Sequence, residues 1–179
     1  MKLIRDSLYG IKKDLDEIKS LDLDDVKFNF VMSKNFKLFT NECIEMDEQI
    51  KPSEKYIEYD KKRIGLLKDK YGEKDDKGQL VIYGDPTRPQ IKINQSLAKE
   101  FTKEIEKLRE EYKEEIDKRD KIVADFNKML MEEVPEQFIN QIHKFYIVIN
   151  EDGEPINLPN GLKQKYIDDL TDIILFEKK

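Results

Sequence analysis

Few side chains in this chain are of a kind that does chemistry unaided. His143 is the only histidine and Cys43 the only cysteine. One imidazole and one thiol, 100 positions apart, rule out a Cys/His quartet for zinc, a paired Glu-x-x-His set for two irons, and any Ser/His/Asp set that spacing would single out. His143 reads as a structural residue. The seven glycines stand singly, so no glycine-rich phosphate loop is written here either. Asn150-Glu151-Asp152-Gly153 has some of the flavour of a calcium loop but lacks its spaced ligands and closing glutamate, and reads as a turn. The expectation is a chain with no catalytic, cofactor-binding or metal-binding residues.

One enzymatic alternative stays open. Asp85, followed by Gln90-Ile91-Lys92 on a β-type run, faintly resembles the acidic residue and Gln-x-Lys variant of metal-dependent nucleases, where carboxylates hold Mg²⁺ and a lysine helps activate water. Such a site needs a second carboxylate and a larger mixed sheet. The plainer reading is a turn followed by an edge strand.

The elements that would position these residues are two long amphipathic arms. In the first, 29–71, Phe36, Cys43, Ile50, Ile57, Ile64 and Tyr71 recur every seventh residue, with Met32, Phe39, Met46 and Leu67 in the complementary slot. Ser53 and Asp60 interrupt it. In the second, 96–133, Phe101, Ile105, Leu108, Tyr112, Ile122, Phe126 and Met129 step by fours and threes across one gap filled by Glu115 and Arg119, read as an i,i+4 ion pair or a wet segment. Each arm would be roughly 55–60 Å long at about 1.5 Å per residue. A seam this narrow needs a partner helix, so the arms should form an antiparallel coiled-coil hairpin. End-to-end matching places Ile64 near Ile105, Ile57 near Tyr112 and Cys43 near Phe126. Pro52 predicts a kink or short break at 51–53, with the heptad phase carried across it.

Between the arms, Gly72 closes the first helix, and Leu80 to Tyr83 and Gln90 to Ile93 read as a small β-hairpin at the tip. Ahead of the arms, Ile4, Leu8, Ile11, Leu15 and Ile18 mark a helix over 2–20. Asn29 is the expected cap of the first arm. Beyond Val134-Pro135, a β-type run over 145–149 precedes a final helix over 161–176 with Leu162, Tyr166, Ile167, Leu170, Ile173 and Ile174 on its inner face. The fold class is therefore mainly α (α+β): one elongated domain made of an N-terminal helix and connector (1–28), the hairpin with its β tip (29–134), and a C-terminal strand and helix (135–179).

Composition fits an extended helical protein, since 40% of residues are charged and 38% hydrophobic while the apolar period persists, unlike a disordered chain. The net charge of −6 comes from 39 acidic and 33 basic residues that are intermixed, so no basic stripe for nucleic acid is announced. The acidic run Glu110, Glu111, Glu114, Glu115, Asp117 reads as a solvated helix face. No signal-peptide core and no membrane-length apolar run is visible, and with one cysteine a cytoplasmic setting follows.

The runs Lys34-Asn35, Gly65 through Gly78, and Glu132-Glu133-Val134 resemble a family of small uncharacterised proteins of tailed phages and prophages of Gram-positive bacteria. There a helix ends in a Lys-Tyr-Gly-Glu-Lys-Asp type turn, followed by a short β excursion, a second helix, a strand and a final helix. The likeness runs from Asn29 to the C-terminus, with the N-terminal helix and second arm longer here. It implies an accessory phage factor, acting in virion assembly or on a host process, and no catalytic residues. The expected function is non-catalytic binding of another protein, phage or host, through Tyr56 and Tyr59 on the hairpin face or Tyr83 and Arg88 at the tip, aromatics and arginine being favoured at contact centres. The alternative for the tyrosines is that they complete the core, above all Tyr112. Helical arms joined by a β-hairpin also resemble prefoldin subunits, which leaves a holdase chaperone as a rival. Self-association into a homo-oligomer would cover the face of the N-terminal helix.

Overall fold

A computed structural model describes residues 3–21, 23–85 and 90–178 of the chain. Among them the fold is mainly helical, with seven α-helices and two sheets of two strands each. The contacts divide the chain into two compact units, Met1–Ile50 with Asp125–Lys179, and Lys51–Ala124.

In the first unit, α1 (Ser7–Lys19) buries Leu8, Ile11, Leu15 and Ile18, the face anticipated for it. That face is covered inside the unit, by α2 (Val26–Gln49) and by α7 (Gln164–Asp169). The α2 helix begins earlier than expected because Asp25, not Asn29, caps it: an extended Asp25 accepts a hydrogen bond from the Phe28 N–H at 2.8 Å. Asn29 instead donates its side-chain amide to the Leu23 carbonyl. The buried side of α2 is broad, comprising Phe28, Val31, Met32, Asn35, Phe39, Cys43 and Met46. Such a stripe belongs to a helix packed on several neighbours rather than on one coiled-coil partner. Those neighbours include Phe145 and Phe138, whose rings meet Phe28 and Phe39 edge-on, and Phe126, Met129 and Leu130 at the end of α5 (Lys113–Leu130) pack against the same core.

After the short α6 (Glu136–Ile139), β3 (Phe145–Ile149) pairs in parallel with β4 (Ile174–Lys178). The predicted final helix is thus overturned beyond Asp169. Leu162, Tyr166, Ile167, Leu170, Ile173 and Ile174 are all buried as anticipated, but the last two lie beyond the helix, Ile173 in a turn and Ile174 at the start of β4. The Phe145 N–H donates to the Ile173 carbonyl and so starts the ladder, a geometry that β-branched isoleucines favour over another helical turn. Asn150–Gly153 is the expected turn, with Gly153 at φ +85° and the Asn150 side chain accepting from the Glu154 N–H.

In the second unit, α3 (Glu54–Leu66) packs against α4 (Ala98–Glu111). Contacts run Ser53 to Glu115, Glu58 to Tyr112 and Lys70 to Glu104, so the helices are antiparallel. The expected kink at Pro52 is a full break: α2 stops at Gln49, and Ser53 starts a new helix by accepting from the Tyr56 N–H. The heptad phase does not survive those unwound residues. Ile57, placed opposite Tyr112 by the sequence, is 39% exposed, whereas Tyr59 is 5% exposed and its ring lies 5.8 Å from that of Tyr112. The second arm is likewise divided, since Tyr112 leaves helical geometry between α4 and α5. Glu115, in the seam's gap, accepts from Ser53 and pairs with Lys118.

The end of the first arm widens into a π turn, Leu67–Tyr71, closed by Gly72. Glycine is required there by closeness rather than by handedness. Its φ is −67°, but an added Cβ would lie 2.5 Å from both the Leu67 carbonyl oxygen and the Leu80 side chain. The anticipated tip comes next, as an antiparallel hairpin of β1 (Ile82–Tyr83) and β2 (Gln90–Ile91), with 72–74 bridged to both Leu80 and Ile93.

Candidate functional site

The local folding of the tip leaves one cleft of note in the Lys51–Ala124 unit. One wall is the last turn of α3 and the π turn, carrying Arg63, Ile64, Leu67 and Lys68; the other is the hairpin, carrying Ile82, Tyr83, Gln90, Ile91 and Ile93, with Phe101 of α4 behind. Its volume is about 690 Å³, within the range of ligand clefts. The π turn builds the first wall, because widening the helix by a residue turns Tyr71 inward onto Phe101, 5.4 Å between rings, while Lys68 stays at the surface. Gly72 then lets the first β segment pass close beneath.

Among the described residues no carboxylate lines the cleft, although the chain as a whole is acidic. The Arg63 guanidinium is steadied by Asp60 through Nε at 3.0 Å and Nη2 at 2.7 Å. Lys68 has no partner among the described residues. The hairpin wall is poorly covered: Ile82 is 60% and Tyr83 53% exposed.

Of the residues singled out from sequence, Tyr83 lies in this wall and Arg88 lies outside the described residues. Tyr59 completes the small core of the unit with Leu108 and Tyr112 and has almost no free surface. Tyr56 is half-buried beside it, with the Arg119 guanidinium 5.8 Å from its ring. Ile64, Leu67 and Phe101 were legible as seam residues, but as members of a helix–helix contact rather than of a cleft. Arg63 and Lys68 carried no signal, since isolated cations on a charged helix are unremarkable.

Beside that core, the Tyr112 hydroxyl donates to Glu58 at 2.7 Å and accepts from Lys62 at 2.6 Å. The Tyr112 bond, then that to Glu58, raises the Lys62 pKa, and bonds from Tyr112 and Lys62 lower that of Glu58. Such a network stiffens the helix pair and leaves no group poised near neutrality. The residues of the nuclease alternative are arranged differently: Lys92 is engaged by Glu73 at 2.8 Å, and β2 is two residues long. His143 exposes its ring while its backbone is clamped by Asn35, which donates Nδ2–H to the carbonyl at 2.8 Å and accepts the N–H at 2.9 Å. In the first unit Asp14, Asp168, Asp169 and Asp172 border a hollow, where burial and then the nearby Asp169 raise the Asp14 pKa. Among the described residues, no three His, Cys, Asp or Glu stand close enough to share a metal ion, and no helix is long and apolar enough to cross a membrane.

No protein family, curated protein or solved structure matches the chain. Function is therefore read from the geometry of the cleft.

Proposed function

We propose that this protein is a non-catalytic protein-binding factor and that the cleft at the β tip is its docking surface. The supporting observation is the pairing of an apolar cleft with the exposed Ile82 and Tyr83, since uncovered aromatic and aliphatic side chains around a cavity are what a partner's anchor residues fill. The antiparallel helices α3 and α4, locked by the Tyr112 network, act as the stem that holds the tip. The wider role, as an accessory factor of a tailed phage in assembly or on a host process, rests on the resemblance of the 65–78 turn.

Selection of a random peptide library on the immobilised protein, with subtraction on an Ile82→Ser/Tyr83→Ser variant, tests the docking surface. Both side chains are exposed, so the variant is expected to keep its fold, which circular dichroism checks. Peptides that bind the parent and not the variant are expected; a selection that yields none overturns the proposal. The same exposed tip favours a second function, a prefoldin-like holdase. Suppression of aggregation of unrelated unfolded proteins, lost in the double variant, would support that holdase.

A further inference from the structure

We infer that the cleft takes a short apolar segment of a partner protein bordered by a carboxylate, with the carboxylate held at Lys68 and Arg63. This rests on the docking role proposed above and specifies its chemistry. The cleft offers an apolar floor of Ile64, Leu67, Ile91 and Phe101 and two cations, Lys68 and the Asp60-paired Arg63, with no acid among its described lining residues. Lys68 has no partner among the described residues, and the bonds of Arg63 to Asp60 use Nε and Nη2, which leaves Nη1 as a donor. An occupant that covers Lys68 without offering it an acceptor strips water from an unpaired ammonium, which is costly. A basic occupant adds repulsion to that cost. A carboxylate at the segment's end avoids both penalties, so the cations act as a selective element while the apolar floor supplies most of the affinity.

The peptides recovered by parent-minus-variant selection provide the probe. The expected sequences place Asp or Glu next to two or more apolar residues. A synthetic peptide of the enriched sequence should bind Lys68→Glu about fivefold or more weakly than the parent, an exposed ion pair being worth up to about 1 kcal/mol with repulsion added on reversal. Its affinity should fall as salt rises from about 0.05 to about 0.5 M. Replacing the peptide's acid by its amide should weaken binding to the parent and leave little further effect of Lys68→Glu. Lys68 is exposed, and circular dichroism of the variant serves as the control for its fold. Cleft-dependent peptides that lack acids, or that ignore Lys68→Glu, overturn this inference and leave the docking role intact. If no peptide is cleft-dependent, both fall. Dodecanoate binding with the same Ile82, Tyr83 and Lys68 dependence, in the absence of any such peptide, would reassign the cleft to small amphipathic anions.

Discussion

Replacing Asn35 by Asp exchanges a single NH₂ group for an oxygen, in a side chain that is 0% exposed. Apart from tyrosines and Cys43, Asn35 is the only polar residue among the described buried ones, and its amide serves both backbone groups of His143 across 108 positions of sequence. The acceptor half of the clamp survives the change. The donor half does not: a carboxylate oxygen would face the His143 carbonyl oxygen where the amide now donates at 2.8 Å. Losing the bond and leaving the carbonyl unpaired costs about 1–3 kcal/mol, and an uncompensated buried charge brings the total to about 3–5 kcal/mol. That is a large share of the ~5–15 kcal/mol that holds a typical domain together. The folded-state pKa of the new carboxyl is then raised, by about 2–4 units at ~1.4 kcal/mol per unit. Below the unfolded-state value, near ~3.9, the acid is protonated in both states and its O–H restores a donor to His143. The penalty must therefore be full above the raised pKa and shrink as pH falls through it toward the unfolded-state value. Urea unfolding followed by circular dichroism, for parent and variant at each pH, measures the gap, and hydrogen exchange of the His143 amide reports the clamp itself. A gap at pH 7 below about 0.5 kcal/mol, the scale of a neutral surface change, would refute the reasoning. So would a gap that does not narrow in acid.

The rotation of α3 makes opposite predictions for two neighbours: Tyr59→Ala should cost about 3 kcal/mol, whereas Ile57→Ser should cost about 0.5 or less, and thermal melts that rank them the other way would restore the heptad register. Gly72→Ala should destabilise the tip by about 1–3 kcal/mol, because the new methyl meets a backbone oxygen that cannot swing aside; an unchanged melt would show that the close approach is not kept in solution. Burial pushes the Cys43 thiol up to about 11, so it stays protonated at pH 8 and should react with a disulfide reagent only on opening, in step with urea unfolding. Rapid modification of the native protein would contradict the buried position.

Many of the residues that leave water were legible from the chain alone. The face of α1, the inner residues between Leu162 and Ile174, the tip hairpin and an interruption at Pro52 all follow from apolar spacing and turn chemistry, which act within a few residues. The contacts those residues make were not legible. A seven-residue repeat marks positions that would share a face if the helix ran on, yet Ser53 caps a new helix after Pro52, and packing on α4 decides which face of α3 is covered. Ile57 was thereby turned outward and Tyr59 inward.

At the C-terminus, the run from Leu170 to Phe176 suits a helix or a strand by period. The unpaired backbone of β3 decided for the strand, through a partner some thirty residues earlier in the chain. The cleft belongs to the same class of outcome. Ile64, Leu67 and Phe101 carry the marks of a helix–helix seam, and only the π turn and the Gly72 approach, both contingent on how 72–93 folds back, leave them lining an opening beside Lys68. Local sequence thus determined the buried face of α1, the apolar residues of the C-terminal segment and the breaks at Pro52 and Gly72, because those depend on composition and backbone chemistry at hand. Partner choice required the tertiary structure, because it depends on which distant hydrogen-bonding edges and surfaces remain to be satisfied.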